Sequence, residues 1–208
     1  MIDKWLSKTK LNNLIEKLVK KLFYQRISAN QLTLIALILG LLSSLSIFLS
    51  KILIWEIPLI LCAAILMFIS FFFDALDGAL ARLGNPSAFG GILDIFSDRT
   101  VEVAIIISLI STDPLALIWP GVFSLGAIIL CLSMFLLLGA VLKEIELDEI
   151  KKVIYYRPGL MERSETFLFL LSITIFVSLR FLLLWTFAGL VFFTAILRLR
   201  DAYLILKS

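Results

Sequence analysis

The chain has 208 residues, 61% of them apolar and only 17% charged, with a formal net charge of +3. That composition is too greasy for an ordinary soluble domain and points to a polytopic membrane protein with one domain's worth of chain. Histidine is absent, which excludes His-based acid–base catalysis, Ser-His-Asp triads and His-ligated zinc or haem. Chemistry must therefore come from carboxylates, Lys/Arg, hydroxyls and metal. Cys62 and Cys131 fall within apolar runs, without metal-type spacing or a disulfide framework, and read as small core residues.

Residues 3–26 place Trp5, Leu6, Leu11, Leu14, Ile15, Leu18, Val19, Leu22 and Phe23 at helical spacing among Lys4, Lys8, Lys10, Lys17, Lys20, Lys21 and Arg26. The pattern predicts an amphipathic juxtamembrane helix over 1–27, lying in the interface against anionic headgroups. Its alternation with apolar residues argues against nucleic acid as the partner. The basic start, with no long apolar run before residue 30, predicts no cleavable signal peptide. Ser28-Ala29-Asn30 carries N-cap chemistry and opens a first span over roughly 30–50. A second span is expected over about 57–82, a third over 88–111 and a fourth over 115–142. Leu83-Gly84-Asn85-Pro86-Ser87 and Thr112-Asp113-Pro114 supply turns. Residues 143–163 form the longest polar segment. The last apolar block, Phe167 to Leu206, exceeds one helix, and Arg180 divides it into spans of about 165–179 and 181–204. The expectation is an all-α protein of six transmembrane helices over 28–208, preceded by the interfacial helix.

Six spans put both termini on one side. With that side inside, seven Lys/Arg of the N-terminal helix and ten others, 17 of the 19, lie there, and only Lys51 and Arg180 face outward. The positive-inside rule thus predicts an integral protein of the cell membrane with both termini cytoplasmic. The ends of spans two and three, and whatever they carry, fall on the same side.

Those ends carry Asp74, Asp77, Asp94 and Asp98. An ionised Asp at the centre of a membrane helix costs about 2.5–3.5 kcal/mol on insertion scales, so four cost roughly 10 or more unless compensated. Asp74 and Asp77, three apart, share one helix face; Asp94 and Asp98, four apart, share another. A short turn makes the two helices antiparallel neighbours, and four converging carboxylates suit hard cations such as magnesium or manganese. Two such ions can hold the attacking and leaving oxygens of a phosphoryl transfer. Gly78, Gly90 and Gly91 allow close approach of a substrate, and Arg82 can neutralise a phosphate oxygen. An ion-coupled transporter is the rival of a different class, since intramembrane acids often line ion paths. Against it, these acids cluster at one face and the spans show no inverted repeat. A membrane scaffold pinned by buried ion pairs would leave four acids facing one nearby arginine.

The run Asp74-x-x-Asp77-Gly78-x-x-Ala81-Arg82, followed by Gly90-x-x-x-Asp94-x-x-x-Asp98, resembles the signature of the CDP-alcohol phosphotransferase family, also called the class I CDP-alcohol phosphatidyltransferases. All eight positions match; the seven residues between Arg82 and Gly90 are one fewer than in many members. The resemblance implies an enzyme that displaces CMP from a CDP-linked lipid with the hydroxyl of a small polar alcohol. It implies a homodimer and two ions, magnesium or manganese, held by Asp74, Asp77, Asp94 and Asp98, with Asp98 as general base. Gly78, Arg82 and Ser87 would contact the CDP group. Asn30-Gln31-Leu32-Thr33 reads either as a helix N-cap or as the border of that nucleotide site.

Asp98-Arg99 and Gly159-Leu160-Met161-Glu162-Arg163-Ser164-Glu165 look like the branch that uses inositol phosphate to make phosphatidyl- or archaetidylinositol phosphate. On that resemblance Arg163 and Lys143 would bind the acceptor phosphate. Glu144-Ile145-Glu146 departs from the branch's basic pattern, and an acidic rim is a poor host for a charged acceptor, so glycerol phosphate, serine or another alcohol stays open. Glu102 reads either as a tuner of the base or as a helix-packing acid.

Overall fold

The computed structural model of the chain describes residues 17, 19–21, 23, 26–53, 55–84, 87–144 and 160–207, with 142–144 as backbone only. Most of the expected amphipathic helix, the Asn85-Pro86 step, the Lys143 side chain and the bulk of the 143–163 polar segment lie outside the described residues. Those described are helical, with no strand among them. The helices are α1 (Ala29–Ile52), α2 (Glu56–Leu83), α3 (Ala88–Thr112), α4 (Pro114–Glu144), α5 (Arg163–Ile175) and α6 (Arg180–Lys207).

Local chemistry sets the boundaries. Ser28 and Gln31 form a reciprocal capping box on α1: the Gln31 N–H donates to Ser28 Oγ at 3.3 Å, and the Ser28 N–H donates to Gln31 Oε1 at 2.9 Å. Ser87 caps α3 by accepting from the Gly90 N–H at 2.9 Å. Pro114 stands at the first position of α4, where its missing donor and fixed φ are tolerated. The last apolar block breaks at Phe176, and a 3-10 turn over Val177–Leu179 leads into α6. Arg180, its first residue, is buried and donates to the carbonyls of Ile173 (3.2 Å) and Thr174 (3.1 Å) and to Thr112 Oγ1 (3.0 Å). It thereby satisfies carbonyls that the end of α5 leaves without partners.

Among the described residues four helices are long and apolar enough to cross a membrane: α1, α2, α4 up to Val141, and α6 with the turn before it. Among the remaining two, α3 carries acids and an arginine at its site end. The 13 residues of α5 extend about 20 Å, short of a ~30 Å hydrocarbon core. Leu34, Ile38, Phe48, Ile57, Ile65, Phe68, Trp119 and Phe181 point outward and are exposed, as expected of a surface solvated by lipid.

Lipid tails are as apolar as leucine, so helix association in a membrane relies on close packing and interhelical hydrogen bonds. α1 is braced in this way against both neighbours. Ser43 Oγ donates to the Ala63 carbonyl (2.8 Å), Ser70 Oγ to the Ala36 carbonyl (2.7 Å), and Ser44 shares a hydrogen bond with Ser108 (2.8 Å). At Gly40 a Cβ would stand 2.5 Å from Val101 Cγ2, so the absence of a side chain sets the α1–α3 spacing. The main core joins Ile47, Met67, Ile106, Leu109, Ile173 and Phe187, and a smaller one joins Leu32, Leu76, Ala79 and Leu80 below the site.

Gly40→Leu should force α1 away from α3 and cost about 1–3 kcal/mol by overpacking, read as a lower thermal midpoint of the purified protein in detergent. An unchanged midpoint would mean that α1 and α3 do not meet at Gly40.

Candidate active site

Because α1, α2 and α3 alternate in direction, the start of α1, the end of α2 and the start of α3 lie together. The Ser28 and Ser87 caps fix both helix starts, and the end of α2 brings Asp74 and Asp77 between them. Asp74, Asp94 and Asp98 converge, each offering a carboxylate oxygen within 4.8 Å of those of the other two. From across the bundle Arg163, the first residue of α5, points one guanidinium nitrogen, Nη2, at all three. It contacts Asp74, and reaches Asp98 at 2.7 Å and Asp94 at 3.1 Å. The height of α5 against α2 is set one turn deeper, where Phe71 and Phe167 stack with centroids 4.1 Å apart and planes 8° from parallel.

Asp77 is not part of this triad. It is 5% exposed, and its Oδ2 is buried without a hydrogen-bond partner among the described residues. It lines a cleft of about 370 Å³ with Asn30, Thr33, Gly78, Ser87, Gly90 and Asp94. A Cβ on Gly90 would come within 2.9 Å of Asn30 Oδ1 and 3.0 Å of Ser87 Oγ, so the glycine keeps the floor of the cleft open. Gln31 caps α1, Leu32 is core, and Asn30 and Thr33 face the cleft. Arg82 is exposed, with Nη1 3.6 Å from where a Gly78 Cβ would be.

On the other side of Asp98 lies a second cleft, of about 180 Å³, lined by Arg99, Cys131, Phe135, Glu162, Arg163 and Arg198 among others. Arg198 stands 5.3 Å over the Phe135 ring and donates to the Cys131 carbonyl at 3.0 Å. Arg99 pairs with Glu102 at 2.6 Å. Glu102 is buried one turn beyond Asp98 and pairs with the arginine next to it. Arg198 was legible in the sequence only as one positive charge near the end of an apolar block. Its clue is that charge inside a helix, where an arginine needs a polar or aromatic partner.

An all-carboxylate donor set, buried beside an orphaned carboxylate oxygen, fits a hard divalent cation that prefers oxygen ligands. The family model described as CDP-alcohol phosphatidyltransferase matches residues 26–199, spanning every element that builds this site. The chain belongs to the CDP-alcohol phosphatidyltransferase family. It is similar to archaetidylinositol phosphate synthase of Pyrococcus horikoshii, 37% identical over 98 residues, which is 47% of this chain and 48% of that protein. It is also similar to the inner membrane protein YnjF of Escherichia coli, 29% identical over 211 residues, covering 100% of this chain and 98% of that one. Its fold is that of Mycobacterium tuberculosis phosphatidylinositol phosphate synthase, solved with CDP-DAG bound. The TM-score is 0.66 at 18% identity, over 94% of each chain. Family and apolar helices together indicate an integral membrane protein.

Proposed function

We propose that the protein transfers a phosphatidyl or archaetidyl group from a CDP-linked lipid to the hydroxyl of a small anionic alcohol, releasing CMP. The observation that carries this reading is the placing of the aspartate triad between two clefts of different chemistry. The 370 Å³ cleft is bounded by the N-termini of α1 and α3 and by Gly78, Gly90 and Gly91. Helix N-termini with unsatisfied N–H groups favour phosphates, which suits a pyrophosphate. Asn30, Thr33, Gly78, Ser87 and Arg82 are our candidate contacts to the CDP group, with Gln31 and Leu32 shaping the segment. The 180 Å³ cleft sets Arg99, Arg163 and Arg198 against Asp98 and Glu162. That excess of arginines suits an acceptor carrying a phosphate, such as inositol phosphate or glycerol phosphate, better than serine or unsubstituted inositol. Lys143 is a further candidate contact.

In this reading Asp74, Asp77, Asp94 and Asp98 would hold two magnesium or manganese ions, which when bound would neutralise charge on the pyrophosphate and make the attacking hydroxyl more acidic. Asp98 faces the acceptor cleft and takes the hydroxyl proton. The hydroxyl oxygen bonds to the phosphorus that bears the lipid, and the bond from that phosphorus to the CMP oxygen breaks. The charge left on CMP develops at the helix N-termini and Arg82. The same reading gives residues 1–27 as an interfacial helix and 28–208 as a six-pass catalytic unit, with α3 and α5–turn as the two less apolar passes. The bias of basic residues supports placing both termini and the site at the cytoplasmic face. The family resemblance supports a homodimer.

The decisive measurement is CMP release by the purified protein from CDP-diacylglycerol or CDP-archaeol, with inositol phosphate, glycerol phosphate, serine and inositol tested in turn with magnesium or manganese. Release should need the metal and be fastest with a phosphorylated acceptor; release with serine alone would overturn the acceptor assignment. Asp98→Asn should lower kcat about 100-fold or more, as loss of a general base does; near-normal turnover would remove Asp98 from that role. Gly90→Ala should raise KM for the CDP-lipid about tenfold, the scale of one overpacked methyl, and leave KM for the acceptor alone. Arg198→Ala should do the reverse, raising the acceptor's KM by about tenfold or more through loss of a charge-assisted contact. If Arg198→Ala moved both KM values together, the two-cleft division would be wrong.

A further inference from the structure

We propose that Arg163 is a built-in cation that closes the aspartate triad in the metal-free protein and must withdraw before a divalent ion can enter. The proposal rests on the metal reading given above. Its ground is geometric: a single nitrogen of Arg163 serves three carboxylates from two different helices, Asp74 on α2 and Asp94 and Asp98 on α3. That nitrogen has two N–H bonds for three acceptors, so it sits at the focus of the triad like an ion. A guanidinium at that point offsets one of three negative charges, whereas a divalent ion offsets two. Exchange is therefore favourable in charge, but the arginine and the ion cannot share the space.

The fold leaves Arg163 a route out. It is the first residue of α5, preceded by the non-helical Leu160–Glu162, and its side chain is about one-third exposed. It already lines the second cleft beside Glu162 and Thr166. The Phe71–Phe167 stack holds the helix behind it, so withdrawal needs only side-chain rotation. The consequence is competition: the apparent metal affinity is reduced by the fraction of time that Arg163 occupies the triad. Arg163 is in this sense a positioning residue that meters metal entry.

The test is Mn²⁺ binding to the purified full-length protein in detergent, read by electron paramagnetic resonance without any substrate. Arg163→Gln, which removes the internal cation, should tighten Mn²⁺ binding about tenfold, as expected if the triad is open one-tenth of the time in the wild type. It should also lower the thermal midpoint in EDTA, with the difference from wild type closing at saturating Mn²⁺. Arg163→Lys keeps the charge on a shorter, compact group that cannot serve three acceptors in the same way. It should tighten binding in the same direction by a smaller factor, and it serves if Arg163→Gln does not fold. Wild type binding Mn²⁺ with both folded variants unchanged or weaker would overturn the proposal and leave the metal reading standing. Loss of binding in Asp74→Asn, alongside tightening in the Arg163 variants, would support both. If neither wild type nor variants bind Mn²⁺, the metal reading falls and this proposal with it.

Discussion

Mutual repulsion of the clustered carboxylates is the constraint around which this protein is arranged. Two unit charges 4.8 Å apart interact by about 3–4 kcal/mol at an effective dielectric of ~20, and the triad has three such pairs. A bundle whose helices gain little from mutual apolar burial in lipid cannot absorb that without positive charge placed on the spot. Arg163 provides it from α5, and in the proposed reaction a divalent ion held by the aspartates would provide it. The position of the triad at one end of the bundle, half-buried instead of at mid-depth, lowers the desolvation cost further.

Holding the acids together requires that the helices carrying them cannot separate. The same small residues that read as featureless in an apolar span do this here. Gly40 admits Val101, while Ser43 and Ser70 donate to carbonyls across the α1–α2 contact. Such hydrogen bonds contribute about 0.6–2 kcal/mol each in a membrane. They are distributed along α1, so they fix its rotation as well as its distance. Rotation is what matters for the site, because it sets which of Asn30, Gln31, Leu32 and Thr33 faces the cleft. Only the first and last of these do.

The parts of the site that could be read from sequence are those built by short-range geometry. The spacings of Asp74 and Asp77, and of Asp94 and Asp98, fixed shared faces, and the turn after Leu83 made the helices neighbours. The division into three acids plus one was not legible. Residues three apart on a helix differ by about 60° in direction, enough to send Asp74 to the triad and Asp77 to the 370 Å³ cleft. The contacts of Arg163, 65 to 89 residues from its partners in sequence, depend on how α5 docks on α2. No local pattern encodes that docking; the Phe71–Phe167 stack does. Arg180 showed a similar limit. It marked the division of the last apolar block, but its burial over the end of α5 appears only once α3 and α5 are adjacent.

The same distinction explains why the donor half of the reaction is better defined than the acceptor half. The proposed donor cleft is made from the ends of three consecutive helices and their caps, so its residues form a compact motif. The proposed acceptor cleft takes Arg99 from α3, Phe135 from α4, Arg163 from α5 and Arg198 from α6. A substitution on any of these helices can reshape it without disturbing the aspartates. On the proposed assignment, acceptor choice is free to vary while the aspartate site stays unchanged. The acidic Glu144–Glu146 stretch need not forbid an anionic acceptor, because the cleft itself sets three arginines against Asp98 and Glu162, with Arg99 paired to Glu102 and Arg198 held by Phe135 and the Cys131 carbonyl.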